Sequence, residues 1–192
     1  MADPRPVVIG ITGASGAALA RRCVELLLEG GEHPLVLATA AAHEVWRQEV
    51  GGTFEEWIGP SGAEQFDIND VAAPIASGTF ETKGMIVMPC SMASAAAIAH
   101  GLSANLLQRA ADVTIKEGRP LVLVPRESPL SVIHLTNLLT LAQAGAKILL
   151  PVPAFYTGPK SVADIVEAIV RRALGALGLP GYLTSDQRYY GS

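Results

Sequence analysis

A short glycine-rich turn, Gly13-Ala14-Ser15-Gly16, has the composition of an anion-binding site. It follows the apolar run Val7–Ile11 and precedes a stretch with helical periodicity, Ala17–Glu29. A turn between a strand and a helix directs several backbone N–H groups and the positive end of the helix dipole at one place, which suits a phosphate. Ser15 adds a hydroxyl, either as the helix N-cap or as a donor to a ligand. The glycine spacing matches neither the dinucleotide-binding fingerprint nor the P-loop, so an ordinary turn without a ligand is the alternative.

Cations on two predicted helices could neutralise a second anionic group. On residues 105–117, Arg109 and Lys116 lie seven positions apart, on one helical face and about 10.5 Å from each other. Asp112 offers Arg109 a local partner, so a solvated face is the alternative. Arg172 lies on the last predicted helix, residues 161–177. The alternative is that Arg172 is solvated in the C-terminal half of this helix and interacts with the helix dipole. The four histidines show no metal-ligand spacing, and the sequence therefore predicts no metal site.

The elements that would position these residues alternate between strand and helix. Apolar strand candidates occur at residues 7–12, 34–39, 85–89, 121–125 and 147–152. This alternation predicts the α/β class, a Rossmann-like or flavodoxin-like three-layer sandwich with a parallel sheet. No linker divides the chain, so we expect one domain over residues 1–192, with its core at about 7–180 and a tail at 181–192. Periodicity fades between residues 53 and 83, which is typical of a binding loop or an interface arm.

Polar residues follow the predicted strands at the edge where ligands bind in such sheets. Beyond the first turn they are Thr39 with Glu49 in the next helix, Ser91-Met92-Ala93-Ser94, Arg126-Glu127 and Tyr156. Ser91 is placed to cap the alanine-rich helix that follows it. The sequence therefore predicts one ligand site assembled from several crossover loops.

Composition excludes several classes of function. A net charge of −4 argues against nucleic-acid binding as the main role. Although 49% of the residues are hydrophobic, no apolar run reaches the ~18 residues of a membrane span. The apolar surplus indicates burial, either in the core or between subunits, and so favours an oligomer. Two cysteines without a paired motif, and no signal-peptide segment, predict a cytoplasmic protein.

In their order and spacing these segments resemble the flavin prenyltransferases, the UbiX-like family within the FMN-binding flavoprotein decarboxylase-like folds. The resemblance extends over residues 7–180. It is carried by Thr12-Gly-Ala-Ser-Gly16, Ala76-Ser-Gly78, Pro89-Cys-Ser-Met92, Arg109-Ala-Ala-Asp-Val113, Lys116-Glu117, Leu121-Val-Leu-Val-Pro-Arg-Glu127, His134-Leu135, Asn137 and Pro153-Ala-Phe-Tyr156.

The resemblance implies transfer of a dimethylallyl group from dimethylallyl monophosphate to N5 and C6 of reduced FMN. The product, prenylated FMN, would serve a UbiD-type decarboxylase as the acceptor. The resemblance also implies a homo-oligomer, a dodecamer, with sites shared between subunits.

Residue roles follow from the same resemblance. It implies that FMN is bound by Gly13, Ala14, Ser15, Thr39, Ser91, Met92, Ala93, Ser94 and Arg126. It implies that the prenyl phosphate is bound by Ser77, Arg109, Lys116, Tyr156 and Arg172, and that Ser15, Glu49 and Glu127 are catalytic. A carboxylate beside a dry prenyl pocket would have a raised pKa and could both donate and accept a proton.

The chain departs from the family pattern in three places. Thr39 stands where the family usually has Ser, and Ser94 stands where it commonly has Thr. Family tails often carry an Arg-Trp, for which Arg188 and Tyr189 are the candidate substitutes.

Two other functions fit the same loops. An FMN-dependent cysteine-type decarboxylase would need a histidine base, for which His134 is the candidate, although a structural histidine is the simpler interpretation. Cys90 fits a small apolar residue better than a nucleophile. A non-catalytic flavin-binding protein is the second alternative. In that case Glu49 would be a solvated helix residue and Glu127 an ion-pair partner of Arg126.

Overall fold

A parallel sheet forms the middle layer of the molecule. The computed structural model describes residues 3–184 and 187. Its strands within those residues are β1 Val7–Ile11, β2 Pro34–Ala38, β3 Glu64–Gln65, β4 Gly84–Cys90, β5 Leu121–Pro125 and β6 Lys147–Ile148. They lie in the order β3-β2-β1-β4-β5-β6, and every pair is parallel. The chain therefore changes direction across the sheet between β1 and β4, the switch point at which open α/β sheets bind ligands.

Helices cover both faces of this sheet. They are α1 Ala17–Glu29, α2 Ala40–Glu49, α3 Phe54–Ile58, α4 Met92–Ala99, α5 Leu106–Lys116, α6 Val132–Gln143 and α7 Val162–Leu177. One core cluster joins α1, α2, α3 and α7 to one face of the sheet, and the other joins α4, α5 and α6 to the opposite face. The predicted three-layer α/β sandwich is confirmed.

Burial explains why the central strands are almost wholly apolar. All five residues of β1 are buried, and they alternate between the two core clusters: Ile9 packs with α1 and α7, and Val8 packs on the other side. A strand covered on both faces has no position for a polar side chain. The continuous apolar run at the start of the chain has this cause.

Polar caps set the first residues of several helices. Ser91 Oγ accepts from the Ser94 N–H at 3.2 Å, Asn105 Oδ1 accepts from the Gln108 N–H at 3.0 Å, and Ser161 Oγ accepts from the Asp164 N–H at 3.1 Å. These bonds satisfy backbone N–H groups that lack a partner in the first turn. The predicted cap at Ser91 is confirmed, and helix α1 spans the residues expected for it.

The structure differs from the expectation at the two edges of the sheet. Strand β3 was not predicted, because its two residues are exposed and carry no apolar pattern, and it exists by pairing with Leu35 and Val36. Strand β6 ends at Ile148 rather than at residue 152. Pro151 in that stretch, and Pro153 directly after it, have no N–H to donate to a ladder. Among the described helices, none has the length and apolar character that crossing a membrane requires.

Candidate functional site

A carboxylate from α2 occupies the start of α1. Glu49 Oε2 accepts from the Gly16 N–H at 2.9 Å and from the Ala17 N–H at 2.8 Å. Helix α2 can approach this turn because Gly13 has no side chain; a Cβ there would lie 2.4 Å from Ala41 Cβ. The composition of the turn predicted a phosphate; in this structure the Gly16 and Ala17 N–H groups bind the Glu49 carboxylate instead.

Hydrogen bonding keeps Glu49 ionised. Partial burial acts to raise its pKa, but bonds from the Ser15 hydroxyl and from the Gly16 and Ala17 N–H groups, with the charge of Arg126, bring the pKa below its ordinary value. The raised pKa expected of a catalytic carboxylate is therefore wrong for Glu49 in the protein alone. Glu49 is an exposed residue of α2, as the solvated alternative has it, but its carboxylate is also anchored to the start of α1. Ser15 is not the N-cap; Gly16 holds that position, without a side-chain cap bond.

The turn after β4 lies beside the turn after β1. Ser91 Oγ donates to Ser94 Oγ at 3.1 Å, and the Ser91 N–H donates to Thr12 Oγ1 at 2.7 Å. Met92 and Cys90 are buried below this turn. Burial raises the pKa of the Cys90 thiol to about 12, so the interpretation of Cys90 as a small apolar residue is confirmed.

Residues from the neighbouring loops complete this edge. Thr39 Oγ1 accepts from the Ala42 N–H at 3.3 Å and caps α2. Arg126 and Glu127 follow β5 and are exposed. Glu127 Oε1 accepts from the Ser128 N–H at 3.0 Å, and no ion pair with Arg126 occurs in the described part of the chain. The ion-pair alternative for Glu127 is therefore wrong, and its carboxylate is left open to solvent.

Helix α5 holds the loop that contains Ser77. Arg109 Nε donates to Ala76 O at 3.2 Å, and its guanidinium also pairs with Asp112 at 2.8 Å. A Cβ on Gly78 would lie 2.8 Å from Lys116 Nζ, so the loop passes directly against that ammonium group. The structure thus brings Ser77, Arg109 and Lys116 together. Lys116 itself pairs with Glu117 at 2.6 Å.

Sequence reasoning missed two residues that hold these loops. Arg119 donates from its guanidinium to Gly78 O at 2.5 Å and to Phe80 O at 2.7 Å. Thr12 joins the ends of β1 and β4. The local signal for Arg119 was a cation just after the end of α5. The local signal for Thr12 was a threonine at the end of the apolar run of β1.

Tyr156 and Arg172 form a second group. Both line a cavity of about 710 Å³ between β6, the segment that follows it and α7. Tyr156 is 84% exposed, and apolar residues such as Leu150, Val152 and Ile169 form other parts of the wall. Arg172 makes no hydrogen bond or ion pair with another residue among 3–184 and 187.

The two groups of predicted substrate residues stay apart within one chain. Helix α5 packs on one face of the sheet and α7 on the other. No hydrogen bond or ion pair between described residues joins Ser77, Arg109 or Lys116 to Tyr156 or Arg172. Arg188 and Tyr189, the candidate tail residues, lie outside the described residues.

Helix α6 presents an apolar surface to solvent. Val132, Ile133, Leu135 and Leu139 are 79%, 72%, 52% and 58% exposed. Apolar side chains clustered in this way mark an interaction surface. On the same helix, His134 Nδ1 accepts from the Ser131 N–H at 3.3 Å as half of a capping box. The structural interpretation of His134 is confirmed by this capping role.

Comparisons with known proteins, by sequence and by structure, point to the same kind of protein. A profile of the flavoprotein family matches residues 1–174. A flavin prenyltransferase UbiX from Synechocystis is 43% identical over 189 residues, covering 91% of this chain and 92% of that protein. A solved dodecameric FMN-dependent UbiX-like decarboxylase from Escherichia coli O157:H7 is 39% identical, with a TM-score of 0.89 over 97% of this chain and 100% of the other. The structure of AnUbiX (PadA1) in complex with FMN and dimethylallyl pyrophosphate is 38% identical, with a TM-score of 0.91 over 99% of this chain and 100% of the other.

Proposed function

The chain belongs to the flavoprotein family, and within it to the UbiX-type flavin prenyltransferases; we propose that it joins a dimethylallyl group from dimethylallyl monophosphate to N5 and C6 of reduced FMN. The observation that carries this function is the pair of polar turns at the switch point of the sheet. They occur in a chain that superimposes over 99% of its length on a relative solved with FMN and dimethylallyl pyrophosphate. Residues 1–192 would act as one domain.

The residues present fit a flavin. We propose that Ser91, Met92, Ala93 and Ser94 contact its ring edge through the first N–H groups of α4 and the two serine hydroxyls. Arg126 would favour the anionic form of the reduced ring by charge pairing. Gly13, Ala14, Ser15 and Thr39 would hold the ribityl chain or the phosphate. Because Glu49 is anionic and occupies the Gly16 and Ala17 amides, an uncharged part of the flavin fits beside it better than a second anion.

The departing phosphate requires a cationic environment. Loss of phosphate from an allylic carbon develops negative charge that preorganised donors can stabilise. Ser77, Arg109 and Lys116 would supply these donors from one side, and Tyr156 and Arg172 from the other. Since the two groups lie on opposite faces of a single chain, we propose that they meet across a boundary between subunits of a homo-oligomer.

Two further observations support a homo-oligomer, one from this chain and one from a similar protein. The apolar face of α6 would be buried between copies, and the similar Escherichia coli protein is dodecameric. We propose a dodecamer here as well. Apolar area of this kind stabilises association once it leaves water.

Two carboxylates would manage the protons. Glu49, held as an anion, would accept a proton through the Ser15 hydroxyl that hydrogen-bonds to it. Glu127 would donate a proton near the prenyl double bond and is open to that role because it has no cationic partner in the described residues. The product would pass to a UbiD-type decarboxylase. Both cysteines are buried free thiols, which suits action in the reducing cytoplasm.

Anaerobic incubation tests this function directly. The protein is mixed with reduced FMN and dimethylallyl monophosphate, and the released flavin is analysed by mass spectrometry and absorbance. We expect a flavin carrying one additional five-carbon unit and able to activate a UbiD-type apoenzyme. A mixture without the prenyl phosphate is the control. Recovery of unmodified FMN from the complete mixture would refute the proposal.

A further inference from the structure

We propose that Thr12 is a positioning residue that holds the two flavin-binding turns in register with each other. Regular pairing of β1 with β4 runs from Val7↔Gly84 to Gly10↔Val87 and stops there. Just beyond, β4 shifts its register against β5 between Val87 and Cys90. The ends of β1 and β4, from which both turns start, therefore need another connection.

Thr12 provides that connection from a fully buried position. It is 1% exposed, its hydroxyl donates to Pro89 O at 2.8 Å, and the same oxygen accepts from the Ser91 N–H at 2.7 Å. The Thr12 N–H also donates to Pro89 O, at 3.3 Å. The Thr12 hydroxyl thus acts both as a donor, to Pro89 O, and as an acceptor, from the Ser91 N–H, at the end of β4.

Each side of this bridge leads directly to a proposed flavin contact. Thr12 is covalently followed by Gly13, and Ser91 caps α4 and bonds to Ser94. Thr12→Val keeps the shape of the side chain but leaves the partly buried Ser91 N–H without its acceptor. The turn after β4 would then be free to shift relative to the turn after β1. A serine keeps the bridge and loses only a methyl group.

The inference rests on the proposed function, and its test separates the two. FMN affinity and the absorbance spectrum of bound flavin are measured for the wild type, Thr12→Val, Thr12→Ser and Thr12→Ala, with KM for dimethylallyl monophosphate. We expect Thr12→Val to raise the Kd for FMN by about tenfold and to alter the bound-flavin spectrum. The Kd of Thr12→Ser for FMN should stay within about threefold of the wild-type value. In Thr12→Val and in Thr12→Ser, KM for the prenyl phosphate should change by less than about threefold.

Thr114→Val is the matched control. Thr114 is also buried, at 3% exposed, and its hydroxyl donates to Ala110 O at 2.7 Å inside α5, away from both turns. Its FMN affinity should equal that of the wild type. If Thr12→Val does not fold, the comparison of Thr12→Ala with Thr12→Ser tests the same hydroxyl.

Three results would overturn the inference or its basis. FMN binding by Thr12→Val within about twofold of the wild type overturns the positioning role and leaves the proposed function intact. An equal loss of FMN affinity in Thr114→Val would show that removing any buried threonine hydroxyl has this effect. That result would also overturn the positioning role of Thr12. Absence of FMN binding in the wild type refutes the proposed function itself.

Discussion

Replacement of Glu49 by glutamine removes one charge from the start of α1 and keeps the shape of the side chain. In the wild type, Glu49 Oε2 accepts two backbone N–H groups at 2.9 and 2.8 Å. The amide oxygen of glutamine can accept the same bonds, so the variant isolates the contribution of the charge.

The expected loss of stability follows from the position of that charge. A carboxylate at a helix N-terminus contributes about 0.3–1 kcal/mol when exposed and up to ~2 kcal/mol when partly buried. Glu49 is open to solvent on one side, which screens its charge, and we expect Glu49→Gln to lower the free energy of unfolding by about 1 kcal/mol. For a chain of this size, that corresponds to a fall in Tm of about 2–4 °C.

The effect should depend on pH in one direction. The folded-state pKa of Glu49 lies below its ordinary value of 4.5. Its stabilisation is therefore fully present above the ordinary value and is lost as the pH falls through the folded-state pKa. The difference between wild type and Glu49→Gln should be largest near neutral pH and shrink in acid.

Urea unfolding of both proteins across this pH range measures the difference. Glu44→Gln on the same helix is the control, because Glu44 pairs with Arg47 and Gln48 at the surface and does not reach α1. Its stability should follow that of the wild type. A Glu49→Gln protein as stable as the wild type at neutral pH, or a difference that does not change with pH, would refute the assignment of the charge to the α1 terminus.

Four further results are expected. Lys116→Ala and Arg172→Ala should leave FMN binding nearly intact and lower prenyl transfer by ~10²-fold or more in steady-state assays. A loss of FMN binding as large as the loss of prenyl transfer would show that these cations hold FMN. Glu127→Gln should still release phosphate but accumulate a singly alkylated flavin, seen by anaerobic absorbance and crystallography; cyclised product at the wild-type rate would remove Glu127 from proton transfer. The wild type should sediment as an oligomer larger than a dimer and Ile133→Asp as a smaller species, and a wild-type monomer that still binds flavin would contradict the shared site. Thr82→Val should raise the free energy of unfolding by about 1 kcal/mol in urea titrations, because the buried Thr82 hydroxyl has no partner in the described residues; a loss of stability would contradict that account.

The elements of the fold could be predicted because their signals are local. The apolar run of β1 reflects burial on both faces, and the first residues of α4, α5 and α7 follow from capping side chains within three positions of the bonded N–H. Strand β3 has no such signal, since it is held by β2 rather than by its own residues. The residue types around the switch point and the family they resemble were also readable from the chain.

The arrangement of the site was decided by contacts between distant segments. The sequence predicted a phosphate at the turn after β1. Only the packing of α2 determined that Glu49, 33 residues from Gly16, binds the first amides of α1 and thereby has a lowered pKa. The bond from the Ser91 N–H to the Thr12 hydroxyl spans 79 residues. The separation of Lys116 from Arg172 likewise arises because α5 and α7 cover opposite faces of the sheet. Periodicity and capping act over a few residues, so a sequence pattern can indicate which groups reach the edge of the sheet, whereas their mutual distances and charges depend on how the layers pack.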